Sequence, residues 1–370
     1  MKIKIEKRPT LSNIQSVFVT IISLLVSILI MGIILTVYFA FDKNLDFGGA
    51  LKLTAESYVE MFYWPFFDQY GIQSTFLKMI PLSFVALGLI FAYRLKIWNI
   101  GGEGQLYMGA MAATYGALFL FKDVNNPIIM ILLLIFMGAI GGGLWAAIPA
   151  FMKAFFKTDE IVITLMLNYI AIFFVDYLVY GPWKNPEGYG FPGTAPFPDS
   201  ANLPYIGNSD IHIGIIFVII LAVIMTYIFK KTKWGFNSKI VGDNKDNAKY
   251  AGINVKFYTI ISLVISGIIA GIGGAVQMMG TQHSLQHGFS PGYGFTAIII
   301  AWLAKLNPIS VLLTGFLFGG LLVGTDSLQM FYGVPTSLVD LFQGLVLFCL
   351  LGGEAIAHYK VVFREKEAIV

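Results

Sequence analysis

Glu103 and Gln105 stand among glycines in the run NIGGEGQLYMGA, residues 99 to 110, with apolar sequence leading up to them from Ile80 and following them to Phe121. A carboxylate so placed lies at the boundary of a hydrocarbon layer or inside it. A charge at the bilayer centre costs about 2.5 to 3.5 kcal/mol and usually faces protein or a water-lined path. Two roles fit Glu103: it borders a translocation path, or it caps the positive N-terminus of a helix. In both it should accept hydrogen bonds from N–H groups of broken backbone. Asn99, Gly101, Gly102, Gly104 and Gln105 belong to the same element, and Asn168 lies mid-span. Asn168, like Gln277 and Gln343, can contact a substrate or simply hydrogen-bond a neighbouring helix.

Other chemistry is sparse. The chain has no Gly-Lys dipeptide and so no GxxxxGK[ST] phosphate loop, which leaves it without that route to ATP hydrolysis. His283 and His287, four apart in TQHSLQHGF, would share a helix face, but no third metal ligand lies near them and an exposed polar pair is expected. The single cysteine, Cys349, excludes a disulfide framework and a cysteine metal cage. No cofactor and no metal are expected. A net charge of +3 gives no reason to expect nucleic acid as a partner.

The elements that must position these residues are membrane helices. Of the 370 residues, 57% are hydrophobic and 12% charged, and the mean hydropathy is +0.76. About 20 apolar residues are needed per crossing, which predicts spans near 17–41, 76–93, 100–121, 127–151, 161–180, 211–229, 257–279, 294–304, 309–324 and 337–353. The fold class is therefore an all-α polytopic membrane protein of about ten spans, read as a single transmembrane domain over 1–370. Residues 1–70 form an N-terminal span and outer loop, and 71–370 form the core. With the N-terminus inside, 19 of the 24 basic residues fall on inner segments, a positive-inside signal that puts both termini in the cytoplasm.

Spans 2–5 begin outside and spans 7–10 begin inside, the arithmetic of an inverted repeat. Glycines break the entrance of span 3, and Pro291, Gly292, Gly294 and Phe295 break that of the short span 8. Broken backbone at membrane depth is tolerated where it is buried in protein or lines a cavity, so the path is expected between these two broken helices. Gly138/Gly142, Gly267/Gly271, Gly315/Gly319 and Gly320/Gly324 are G-x-x-x-G pairs that suit close helix packing.

Three loops stand out. Residues 42–75 carry five acids and the aromatic run MFYWPFF, which suits a short interfacial helix. Residues 181–210 hold six of the 14 prolines and should be an ordered, extended connection, touching an outside partner or packed on its own spans. The inner loop 230–256 mixes lysines with a helix-compatible stretch. Asp243 or Asn244 can cap it, Ala248 to Ala251 can form it, and Gly252 can end it. Such a helix is a docking handle for a cytoplasmic protein or a basic loop held to anionic lipid headgroups.

RLKIWNIGGEGQLYMGA (94–110), TDEIVITLMLNYIA (158–171), GTAPFPDSANLP (193–204) and VGDNKDNAKYAGINV (241–255), in this order, resemble the membrane permease subunit of simple-sugar and nucleoside ABC importers, the nucleoside type above all. The resemblance implies a non-enzymatic subunit in a prokaryotic cytoplasmic membrane. It implies pairing with a second permease, homologous or identical, with ABC ATP-binding subunits, and with an extracellular substrate-binding lipoprotein. It also implies that Gly242, Asp243, Asn244, Ala248, Ala251 and Gly252 form the helix that couples to the ATPase. Aromatics near the broken segments, Trp98, Tyr107, Tyr293, Phe295 and Trp302, can stack on a base or sugar or form an interfacial belt. The rival class is an ion-gradient-driven secondary transporter, for which Glu103 offers the one candidate buried acid.

Overall fold

The computed structural model describes residues 2–7, 13–188 and 190–364. Its helices are α1 (Asn13–Asp42), α2 (Phe47–Phe67), α3 (Gln69–Tyr93), α4 (Gly102–Tyr115), α5 (Pro127–Phe156), α6 (Glu160–Tyr180), α7 (Gly214–Lys231), α8 (Lys233–Asp243), α9 (Lys245–Tyr250), α10 (Val255–Gln277), α11 (Tyr293–Leu303), α12 (Pro308–Tyr332) and α13 (Thr336–His358). Helices α4 and α10 each run on into a π turn, Gly116–Leu120 and Met278–Gln282. Starts are set by capping side chains: Asn126 accepts from Ile128 N at 3.0 Å just ahead of Pro127, Asp159 from Ile161 N at 2.9 Å, and Asn254 from Phe257 N at 3.1 Å.

Each of the ten expected spans is helical, but they are not equal. Among the described residues seven helices are long and apolar enough to cross a membrane: α1, α3, α5, α6, α7, α10 with its π turn, and α12. Tyr293–Leu303 and Thr336–Leu350 are shorter apolar helices. Helix α4 has 14 residues. With its π turn it runs on to Leu120, about 28 Å at 1.5 Å per residue, and its polar first turn with Glu103 and Gln105 is what sets it apart from the seven.

The chain divides into two compact units, Gln69–Gly320 and Met1–Asp68 together with Leu321–Val370. In the larger unit α3 and α10 are central. Two of the glycine pairs cross here: a Cβ at Gly142 would lie 2.2 Å from Gly267 O, and one at Gly271 would lie 2.2 Å from Gly138 O. Helices α5 and α10 thus touch backbone to backbone, the close approach that small residues permit in lipid. Helix α4 joins the same crossing, since a Cβ at Gly109 would lie 2.3 Å from Gly271 Cα. Gly315 and Gly319 seat α12 on α3, where added Cβ atoms would lie 2.4 Å from Ser83 Oγ and 2.7 Å from Thr75 O.

In the smaller unit the acidic, aromatic stretch after α1 is a 21-residue helix and not a short one. Helix α2 runs back along α1, with Thr54 hydroxyl-bonded to Thr36 at 3.0 Å and Tyr58 Oη donating to Ile28 O at 2.5 Å. Asp46 caps it by accepting from Gly49 N at 3.2 Å. Because α2 fills most of residues 42–75, α3 begins at Gln69, seven residues before the expected span 76–93. The alternating sequence KIKIEK forms β1 (Lys2–Lys7), antiparallel to β2 (Tyr359–Arg364), with Lys2 opposite Arg364 and Lys7 opposite Tyr359.

Candidate functional site

The two glycine-broken helix starts meet. A Cβ at Gly294 would lie 2.2 Å from Glu103 N and 2.5 Å from its Cα, and one at Gly102 would lie 2.7 Å from Val85 Cγ1. Only glycine allows the first turns of α4 and α11 to approach so closely. Gly292, the residue before α11, has φ +87°, a left-handed conformation that glycine adopts without strain. Two helix N-termini, each with unpaired N–H groups and partial positive charge, therefore face one another. Glu103 answers both. Its carboxylate sits in the first turn of α4 and accepts from Gly294 N in α11 at 2.5 Å, with the Ser290 hydroxyl and Gly292 N–H also directed at it. It is 1% exposed.

Around this contact the polar side chains satisfy one another. Asn99 donates to Ser266 Oγ at 3.0 Å and to Gln105 Oε1 at 3.2 Å, and its carbonyl accepts from Gly101 N at 2.9 Å. Asn168 accepts from Gly104 N at 2.8 Å and donates to Ile100 O at 2.8 Å. Thr164, one turn before Asn168, accepts from Ile100 N at 3.2 Å. Asn99, Gln105, Thr164, Asn168 and Ser266 are all buried. The structure thus gathers Asn99, Gly101, Gly102, Glu103, Gly104, Gln105, Asn168, Gly292 and Gly294 into one junction. Phe295 is half-buried at its edge, 3.6 Å from where a Cβ of Gly292 would lie.

Sequence reading missed Ser290, Ser266 and Thr164. Thr164 carries a usable signal, since it lies four residues before Asn168 and shares its helix face. The serines look like any small residue in an apolar helix. The aromatics divide: Tyr107 and Tyr293 are buried, Tyr107 against Phe289 with centroids 4.4 Å apart. Trp98 and Trp302 stack on each other at 5.3 Å; Trp302 also stacks on Tyr93 at 5.6 Å, whereas Trp98 meets that ring tilted, at 5.8 Å.

The inner-loop residues are placed differently from one another. Asn244, and not Asp243, caps α9, accepting from Asp246 N at 2.9 Å and Asn247 N at 3.1 Å, while Asp243 ends α8. Gly252 ends the stretch with φ +74°. Ala248 is fully buried, and Gly242 is clamped, with a Cβ there 2.0 Å from Arg94 O. These two seat the loop from beneath. Its free surface is Lys245, Asp246, Asn247, Lys249, Ala251 and Tyr250, the last 92% exposed.

The two histidines are engaged separately. His287 Nδ1 pairs with Asp176 at 2.8 Å, whereas His283 is half-buried against Asn202 Oδ1 at 2.8 Å, so the expected exposed pair is two separate contacts. His212 is fully buried and accepts from Gly214 N at 3.1 Å. Among the described residues no three His, Cys, Asp or Glu side chains cluster to hold a metal ion. The proline-rich connection is docked on the end of α10: Leu203 N donates to Met279 O at 3.0 Å, Phe197 N to His283 O at 2.8 Å and Thr194 N to Leu285 O at 2.9 Å.

Residues 71–351 match the family described as the branched-chain amino acid transport system / permease component. The chain is 34% identical to the glucose ABC transporter permease protein TsgB13 of Haloferax volcanii over 319 residues, 83% of this chain and 82% of that one. It is 31% identical to the guanosine ABC transporter permease protein NupP of Bacillus subtilis over 85% of this chain and 90% of that one. It is 32% identical to the nucleoside ABC transporter permease protein NupB of Lactococcus lactis over 75% and 78%. No solved structure matches the chain.

Proposed function

The chain belongs to the branched-chain amino acid transport system / permease component family, and from that premise we propose that it is the transmembrane subunit of an ATP-driven ABC importer for nucleosides or related small sugars. Its partners in this reading are an ABC ATP-binding subunit, a second homologous or identical permease, an extracellular binding lipoprotein, and membrane lipid. The observation that carries the reading is the match along most of the chain to sugar and nucleoside ABC permeases. The polar junction fits it, because Glu103 is engaged by N–H groups of the broken backbone, a positioning role that needs no ion gradient.

Substrate passes along the face of the α4–α11 junction, whose glycines and buried amides fix the two broken helices that the path runs beside. In this reading the chain makes ten spans, with spans 2–5 and 7–10 as an inverted repeat. Helix α9 docks the ATPase through its exposed face. ATP binding closes the ATPase subunits, α9 moves with them, and the helices rock between outward and inward access. Vesicles holding the complete transporter should take up guanosine or a pentose only with ATP inside and binding protein outside. Uptake that survives removal of ATP but collapses with the proton or sodium gradient would overturn this assignment.

Orientation is testable on its own. Single cysteines replacing the exposed residues Lys184, Asp199 and Lys245, in a Cys349→Ser background, should react with an impermeant reagent in intact cells at the first two positions only. Reaction at position 245 before permeabilisation would reverse the topology.

A further inference from the structure

We propose that the segment Arg94–Asn99 between α3 and α4 is the strap that carries movement of the α8–α9 loop to the Glu103–Gly294 junction, an inference that rests on the docking role given to that loop above. Helix α8 grips the strap at both of its ends. At its C-terminal end, a Cβ on Gly242 would lie 2.0 Å from Arg94 O and 3.3 Å from Leu95 Cα, so backbone meets backbone with no side chain between to absorb a displacement. At its N-terminal end, Arg94 Nη2 donates to Gly235 O at 3.4 Å, while the guanidinium lies 4.4 Å from the centre of the Phe229 ring.

Beyond Arg94 the strap is stiff. It closes α3 with a Schellman turn, in which Lys96 has φ +54° and Ile97 N donates to Ala92 O at 3.2 Å. Leu95 and Ile97 are buried, and Tyr93 Oη donates to Asn99 O at 3.0 Å. Asn99 then holds Gly101 N, Gln105 and Ser266, one turn from Glu103. Every link from Gly242 to Glu103 is a backbone contact or a buried hydrogen bond. Contiguity alone does not demonstrate energetic coupling, so the claim is placed on a measurement of transport per ATP.

The complete transporter in vesicles is compared with its Gly242→Ala, Arg94→Lys and Tyr250→Ala variants for retention of the ATPase subunit, ATP hydrolysis and guanosine uptake. Gly242→Ala and Arg94→Lys should keep the ATPase subunit bound yet lose about tenfold in uptake per ATP, within the range of typical coupling between sites. Tyr250→Ala, on the exposed face, should instead lose the subunit. A cysteine at Lys96 in the Cys349→Ser background should label at different rates in nucleotide-free and nucleotide-trapped transporter, and this difference should vanish with Gly242→Ala. If Gly242→Ala does not accumulate, Arg94→Lys decides, because it keeps the charge and lacks only the planar fork. Unchanged uptake per ATP in the strap variants that accumulate overturns the strap. Tyr250→Ala that keeps subunit, hydrolysis and uptake overturns the docking reading and the strap with it.

Discussion

Glu103→Leu is expected to cut the amount of folded protein in the membrane by about tenfold or more, a loss that corresponds to about 1.4 kcal/mol. The reason is local. Removing the carboxylate leaves Gly294 N–H, Gly292 N–H and the Ser290 hydroxyl pointing into a site that is 1% exposed. Each buried donor left without a partner costs about 1 to 3 kcal/mol. The two facing helix N-termini also lose their negative counter-charge, worth roughly 0.3 to 2 kcal/mol. Glu103→Gln should fall between the wild type and the leucine variant. Its one carbonyl oxygen can keep the Gly294 bond, and the Ser290 hydroxyl can rotate to accept from the new amide. Gly292 N–H is then the single donor left over. Immunoblotting of membranes together with thermal unfolding in detergent reads both variants. Equal abundance of the leucine variant and the wild type would show that Glu103 caps nothing. A glutamine variant that inserts and retains its ATPase subunit but does not transport would assign the charge itself a part in transport.

That two helices are broken was legible in the sequence, because glycine and proline interrupt apolar runs at only a few places; that the two breaks touch was not. That Glu103 takes its hydrogen bonds from α11, 191 residues away, was not. A break in the chain shows that free N–H groups exist there, but not which acceptor reaches them. The same limit applies to the docking loop. Its cap and its glycine stop were readable from residue type, whereas the clamping of Gly242 depends on Arg94 and Leu95, which belong to a distant helix end. Residues 42–75 misled for another reason. Their acids, Lys52 and aromatics weaken the apolar signal, and α2 is recognisable only once α1 offers Thr36 and Ile28 to Thr54 and Tyr58.

The glycine pairs allow a sharper test, because spacing marks them without saying which pair meets which. Glycine inside a helix costs about 0.8 to 1.0 kcal/mol relative to alanine, so replacing a glycine that packs against nothing should stabilise the protein. Gly344, in α13, has no atom within 4 Å of where its Cβ would lie. Gly344→Ala should therefore be neutral or raise Tm. Gly271 is the opposite case. Its Cβ would lie 2.2 Å from Gly138 O and 2.9 Å from Gly142 Cα, and Gly109 of α4 approaches the same backbone. The colliding atoms are backbone, so no rotamer change relieves them and the helices must separate. Overpacking of this kind costs about 1 to 3 kcal/mol or more, which exceeds the gain in helix propensity, and parting α4, α5 and α10 loses their mutual contacts in addition. Gly271→Ala should lower Tm clearly, and Gly271→Leu should leave almost no folded protein. Gly142→Ala should act at the same crossing, so the double variant should cost less than the two single losses added together. Matching unfolding temperatures for Gly271→Ala and Gly344→Ala would mean that these three helices do not cross through their glycines.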